Sequence, residues 1–296
     1  MSKREQIAFN TVGLIGKYND PSVNKTLQGL CSFLNKRDCR VLVDCATADS
    51  MSQQHFTSAS IDEIGEQCDL AITVGGDGTL LNAARDLIKY DVPILGINLG
   101  RLGFLVDISP NEMTTRVAEI LDGKYEIEER IMLTTTIQHP DGNTSSSDAF
   151  NDIVLHKWET ARMVELETYI NGKLLNNMRS DGLIVSSPTG STAYALSGGG
   201  PILEPDVNAM VLVPICPHSM SYRPIVIHGD SEIELSVGGF EHAKAMISCD
   251  GQKNIEVSRD DKIFIKKKNT NVRLVHPCKH NHYEILRAKL HWSENL

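Results

Sequence analysis

The chain has 296 residues, 41% of them hydrophobic and 23% charged, with a formal net charge of −9. That length holds two domains of ordinary size, and the mix excludes disordered and fibrous classes. The acidic balance excludes a broad basic face for nucleic acid, so an anionic ligand must be caught locally by amides, helix ends and a few arginines.

In chain order, residues 7–15 are an apolar run, and 24–35 follow with Leu27, Leu30, Phe33 and Leu34 at helical spacing. Residues 40–43, 70–74 and 92–97 read as further buried strands, with a helix over 80–90. This alternation predicts an α/β domain with a mostly parallel sheet, whose ligands collect at the carboxyl ends of the strands. Gly75-Gly76-Asp77-Gly78-Thr79 lies at such an end. Three glycines let backbone amides approach a phosphate, and a carboxylate among them serves to accept a proton or to help hold magnesium. The same five residues also fit a plain strand-to-helix turn with Asp77 as its cap.

The rhythm changes after about Lys124. Short strand-like runs follow at 131–137, 150–156, 164–170, 183–186, 210–213, 225–227, 233–237, 245–248 and 263–266. Val164, Leu166, Thr168 and Ile170 alternate with Glu165, Glu167 and Tyr169, and Asn171-Gly172 supplies a tight hairpin turn. The expectation is a second, all-β domain with one inserted helix over 191–196. Residues 139–147 read as a polar hairpin tip without function.

Residues 181–194 form the next informative stretch, a strand, a hydroxyl-rich turn and a helix start. Such amides and hydroxyls suit an anion such as pyrophosphate, and they equally suit an ordinary capped helix. Tyr194 and Ser197 would face a bound nucleotide one turn on. Asn151-Asp152 offers an amide and a carboxylate to an adenine edge and a ribose, or a simple strand-start turn. Cys249-Asp250-Gly251-Gln252 reads as a hairpin.

Other motifs carry less. Gly13-Leu14-Ile15-Gly16-Lys17 has glycines too close for a nucleotide P-loop, and Tyr18 stands where a hydroxyl would serve magnesium. His276, Cys278, His280 and His282 would share one face of a strand, as zinc ligands do, but Pro277 and the two-residue spacing argue against it. Residues 266–268, three lysines, read as a solvated edge. No apolar run reaches a membrane span, residues 1–6 carry no apolar signal core, and seven cysteines lack a Cys-x-x-Cys pair. The expectation is a cytoplasmic protein with reduced thiols and no membrane or nucleic-acid partner.

Taken together and in this order, these motifs closely resemble the NAD kinase family, the ATP-NAD kinases of bacterial type. The matching pieces are the GGDGT loop, the Asn151-Asp152 pair, the segment 181–194 with its GSTAY run, the turn Asp250-Gly251-Gln252, the stretch 96–105 and the tail 286–292. The GGDGT loop alone is shared with lipid kinases, and GSTAY after the Asp-Gly strand is far more specific. The resemblance implies a NAD kinase/diacylglycerol kinase-like two-domain architecture, divided as an α/β domain over 1–126, a β-rich NAD-binding domain over 127–275 and a tail over 276–296 packing back on the first. It implies transfer of a phosphoryl group from ATP, with a divalent ion such as Mg2+, to the 2′-hydroxyl of NAD's adenosine ribose.

By that resemblance Asp77 is the proton acceptor, and Gly75, Gly76, Gly78 and Thr79 meet the phosphates of ATP. Gly78 and Phe104 lie against NAD. Asn151 orients the adenine, and Asp152 and Asp181 bond ribose hydroxyls or the nicotinamide end. Thr192, Ala193, Tyr194 and Ser197 line the adenosine pocket. Arg162, Arg179 and Gln252 are carried over as further NAD contacts; the arginines fit a solvated surface equally well. Arg179 is the candidate for discriminating NAD from NADH. Asp152 stands where many relatives have glutamate, and Ser187 replaces a common threonine. A homodimer or homotetramer with shared active sites is implied. An inactive dinucleotide-binding regulator and a lipid kinase are the rival readings.

Overall fold

The computed structural model describes residues 9–17, 20, 22–49, 56–100, 102–106, 108–158, 163–238, 245–278 and 280–292. Two compact units divide the chain, Met1–Glu129 with Val272–Leu296, and Arg130–Asn271. The return to the first unit thus begins at Val272 and not at 276. The reason is a strand, Val272–Pro277, that joins the first unit's sheet, where Leu274 pairs in parallel with Ile94.

That sheet has seven strands in the order Thr57–Ala59, Arg40–Asp44, Thr11–Gly16, Leu70–Gly75, Ile94–Asn98, Val272–Pro277, Tyr125–Arg130. Pairing among the first six is parallel. Leu70–Gly75 is buried at every position, as a strand covered on both faces must be. The helix Ser22–Lys36 buries Val23, Leu27, Leu30 and Leu34 against Leu14, Ile72 and Val74. The helix expected over 80–90 begins earlier, as Asp77–Leu87 followed by the 3-10 turn Ile88–Tyr90. A carboxylate in the first turn suits the positive end of the helix dipole.

The second unit consists of two six-stranded sheets, antiparallel throughout. Alternate residues of one sheet (Leu133, Leu166, Leu235, Ile263) pack with alternate residues of the other (Ile153, Leu155, Leu183, Leu212) in one core. Period-two alternation sends the intervening residues to the opposite face. Val154, Ile184, Val211 and Val213 lie there and cluster with Ala195 of the short helix Tyr194–Ser197. Asn171 and Gly172 both have positive φ, 52° and 73°, as a two-residue hairpin of this twist requires. The tip near 139 is tied to the core side by His139, whose Nδ1 lies 2.9 Å from Asp261 Oδ1.

Candidate active site

Each unit presents chemistry-bearing residues where strands end. In the first, Leu70–Gly75 passes through Gly76 alone into the helix Asp77–Leu87. The amides of Thr79 and Leu80 donate back to the Gly76 carbonyl. Gly75 pairs with Asn98, so the segment after Ile94–Asn98 leaves the sheet at the same end. That segment wraps the Asp77 carboxylate. Oδ2 accepts the Phe104 amide at 2.9 Å, and Oδ1 accepts those of Leu105 at 3.0 Å and Val106 at 3.2 Å. A Cβ on Gly103 would collide with the same carboxylate, so glycine is the residue that admits it. An ionised carboxylate has about four acceptor positions. Three are taken here, and Oδ2, which serves Phe104 alone among these amides, keeps one as far as the described residues go.

The rest of the loop is open. Beyond its chain neighbours, no described heavy atom lies within 4 Å of the place a Gly76 Cβ would take, and Gly78 is exposed. Phe104 is half-buried, with Lys289 Nζ 5.4 Å from its ring centroid. Asp77, Gly75, Gly76, Gly78, Thr79 and Phe104 therefore gather at one strand end within this unit.

In the second unit a cavity of about 560 Å3 opens on the outer face of the strand Asp152–Lys157. Asp152, Val154 and His156 line it because residues two apart share a face. Asn151, Asp181, Ala193 and Tyr194 line it as well. Of the residues assigned from the motifs, these five line the cavity: Asn151, Asp152, Asp181, Ala193, Tyr194. Thr192, Ser197, Arg179 and Gln252 are not among its lining. Arg179 is exposed, with Nε 3.6 Å from Glu165 Oε1. Arg162 lies outside the described residues.

The hydroxyl-rich turn behaves differently from the anion cradle that its composition suggests. Ser187 Oγ donates to Phe150 O at 2.6 Å and accepts from the Gly190 amide. Ser191 Oγ donates to Pro188 O at 2.6 Å and accepts from the Leu203 amide at 2.9 Å. Both side chains are buried, so these hydroxyls spend their capacity fastening the turn beside Asn151. A Cβ on Gly190 would strike the Asn151 carbonyl, which shows how closely the turn is pressed there. The helix that follows, Tyr194–Ser197, has only four residues.

Motif reading placed Asp250 in the turn Asp250-Gly251-Gln252 but gave it no role of its own. In left-handed backbone, with φ 53°, it directs its carboxylate back at the start of the neighbouring strand. Oδ2 accepts the Phe150 amide at 3.0 Å, while Oδ1 accepts those of Asn151 at 2.7 Å and Asp152 at 3.2 Å. Asp250 thus sets the backbone of the Asn151-Asp152 pair, as Phe104, Leu105 and Val106 set the Asp77 carboxylate. The sequence signal was an aspartate followed by glycine in a tight turn, a position where positive φ is tolerated. Lys157 was missed too; its Nζ donates to Asp181 Oδ1 at 2.6 Å.

Electrostatics limit what the cavity can hold. Asp152 is buried, which pushes its carboxyl up to about 7, and the nearby Asp250 charge pushes the same way. Asp152, Asp181 and Asp250 outnumber the cation Lys157, and Lys157 is already paired. Such walls repel a phosphate and accept hydroxyl donors, while Val154, Ala193, Tyr194 and Ile215 offer apolar surface to a flat base. A nucleoside matches that chemistry.

Comparison with known proteins agrees with this. Residues 12–125 match the model of the ATP-NAD kinase N-terminal domain and 150–277 that of the ATP-NAD kinase C-terminal domain. The chain is 48% identical to the NAD kinase of Nitrosococcus oceani, over 97% of this chain and 98% of that one. It is 45% identical to the NAD kinase of Azotobacter vinelandii at the same coverage. A crystal structure of yeast NADH kinase complexed with NADH superposes with a TM-score of 0.88 at 26% identity, covering 98% of this chain and 90% of that one. An NAD kinase from Archaeoglobus fulgidus in complex with ATP gives 0.74, also at 26% identity, over 95% and 98%. The lipid-kinase and inactive-regulator readings find no support in these matches. Matched by both domain models and by full-length relatives, the chain belongs to the ATP-NAD kinase family of phosphotransferases.

Proposed function

We infer that Asp77 takes the proton from the 2′-hydroxyl of NAD's adenosine ribose as that oxygen attacks the γ-phosphorus of ATP, giving NADP and ADP. The observation that carries this role is the Asp77 carboxylate, immobilised by three amides with one acceptor position on Oδ2 left by the described residues. Phosphoryl transfer depends chiefly on positioning and charge neutralisation, so a base fixed before substrate arrives is what the reaction needs. Gly75, Gly76, Gly78 and Thr79 approach the phosphates of ATP, and Phe104 and Gly78 lie against NAD.

Asn151, Ala193 and Tyr194 hold the adenosine, with Thr192 and Ser197 beside them, and Asp152 and Asp181 accept from its sugar hydroxyls. Gln252, Arg162 and Arg179 extend this set, and Arg179 discriminates NAD from NADH. The one carboxylate that the loop offers magnesium is that of Asp77, three of whose acceptor positions are filled. That donor set fits an ion held mainly by ATP's phosphates and water. When bound, the ion neutralises charge on the transferring group.

The reading extends to a cytoplasmic homodimer or homotetramer. Seven cysteines with no disulfide among them fit a reducing compartment. No helix among the described residues is long and apolar enough to cross a membrane. The edge strand Ile225–His228 with exposed Ile225 and Val226 supports self-association.

The test is NADP formation from NAD and Mg-ATP, read by an NADP-specific dehydrogenase, with Asp77→Asn alongside. The variant should keep NAD binding and lose about 10²–10⁴-fold in kcat, because an amide cannot take the proton. Near-normal turnover in that variant would remove the role given to Asp77.

A further inference from the structure

Away from the nucleotide residues, three ligand-bearing side chains converge inside the first unit. Glu128 stands on the strand Tyr125–Arg130 and His276 on Val272–Pro277, while His280 sits just before the helix His282–Leu290. One ligand atom of each lies within 4.8 Å of the others. The two strands are neighbours in the sheet, which brings Glu128 Oε2 to 3.3 Å from His276 Nε2.

His280 arrives by a turn closed through its amide to the Pro277 carbonyl, and its ring stacks on that of His276 with centroids 3.8 Å apart. The alternating arrangement of His276, Cys278, His280 and His282 on one strand is therefore not what forms, because the strand ends at Pro277. Cys278 and His282 are not in the cluster.

His276 is only 4% exposed, yet neither ring nitrogen makes a hydrogen bond with a described residue. Buried polar groups are retained with well-made bonds, so an imidazole held between a carboxylate at 3.3 Å and a second imidazole, with no hydrogen bond of its own among the described residues, calls for a ligand. We propose that Glu128, His276 and His280 bind one zinc-class divalent ion, which fastens the turn after Val272–Pro277 to the strand Tyr125–Arg130.

Two neutral imidazoles and one carboxylate are the donors of zinc sites that keep a fourth position for water. With bonds of about 2.0–2.2 Å, tetrahedral ligand atoms stand about 3.3–3.6 Å apart, a range that includes the 3.3 Å between Glu128 Oε2 and His276 Nε2. His280, half-buried in its loop, completes the set by turning out of the stack. It also lines a cavity of about 330 Å3 with Pro277 and Asn281, which gives the ion a way in. Imidazole donors disfavour magnesium, so this site is chemically distinct from any ion that travels with ATP.

The test uses the full chain, stripped by chelator, in magnesium-free buffer without nucleotide. Zn2+ is titrated against a chromophoric competitor, and Co2+ serves as a visible-absorption probe of the ligand set. One equivalent should bind, with affinity at least about tenfold weaker in Glu128→Gln and in His280→Ala. Tm should rise by about 5 °C at 100-fold excess over Kd in the native chain and not in the variants. Truncating the buried His276 threatens folding itself, so the two less buried ligands are the ones varied. Binding of equal strength in native and variant chains would overturn the proposal. So would the absence of stoichiometric binding by the native chain, which would leave Glu128 and His276 as an ion pair only.

Discussion

Replacing Asp250 by alanine isolates the device that holds the Asn151-Asp152 pair. The substitution removes the shared acceptor of three amides, at 3.0, 2.7 and 3.2 Å, and a negative charge beside Asp152. A hydrogen bond to a charged acceptor contributes about 1.5–3 kcal/mol, but these amides share one carboxylate and are only part-buried, so water replaces some of it. The net cost should be about 3 kcal/mol, or a fall in Tm of roughly 6–12 °C for a domain of this size.

Binding should suffer separately. With the turn loosened, Asn151 and Asp152 lose their fixed placement, and KM for NAD should rise about 10- to 100-fold. Thermal unfolding and steady-state kinetics at saturating ATP measure both effects. Asp250→Asn is the control: it keeps one oxygen acceptor, so it should lie between native and alanine in Tm. An alanine variant with native Tm and native KM would refute the reasoning, since it would mean the three amides need no carboxylate.

Asp152 gives the stability a defined pH dependence. Its pKa is raised in the folded state to about 7, first by burial and second by Asp250. The folded protein therefore binds more protons than the unfolded chain between about pH 4 and 7, and stability falls as pH rises through that window. Asp152→Asn should remove the slope, leaving the variant more stable than native at pH 8 by at most about 4 kcal/mol and equal at pH 4. Urea unfolding at the two pH values checks it, and parallel curves for the two proteins would contradict it. Gly103→Ala should cost about 1–3 kcal/mol and at least tenfold in kcat, because its Cβ displaces the Asp77 carboxylate. A Gly103→Ala enzyme of native kcat would show that Asp77 does not need that wrapping.

Local chemistry wrote several features of this protein plainly into the chain. The buried run before Gly75, the helical spacing of Leu27, Leu30 and Leu34, the alternation from Val164 to Ile170 and the Asn171-Gly172 turn each reflect rules that act within a few residues. Even an element passed over had its signal: the helix Ile61–Gln67 opens on a reciprocal capping box between Ser60 and Glu63. The family likewise followed from motifs in order along the chain.

What tertiary structure alone decided lies between segments distant in sequence. The hydroxyl-rich turn suggested an anion cradle, yet Ser187 and Ser191 close on Phe150 and Leu203, and no local rule could foresee that competition for their hydrogen bonds. Asp77 meets amides 27 to 29 residues on, and Asp250 meets amides about 100 residues back. Glu128 finds His276 because Val272–Pro277 returns to the first sheet. A residue's type fixes which bonds it can make, and its immediate neighbours fix the turn it occupies. Which partner takes the bond depends on strand order and register, and those are settled by burying whole faces of two separate cores.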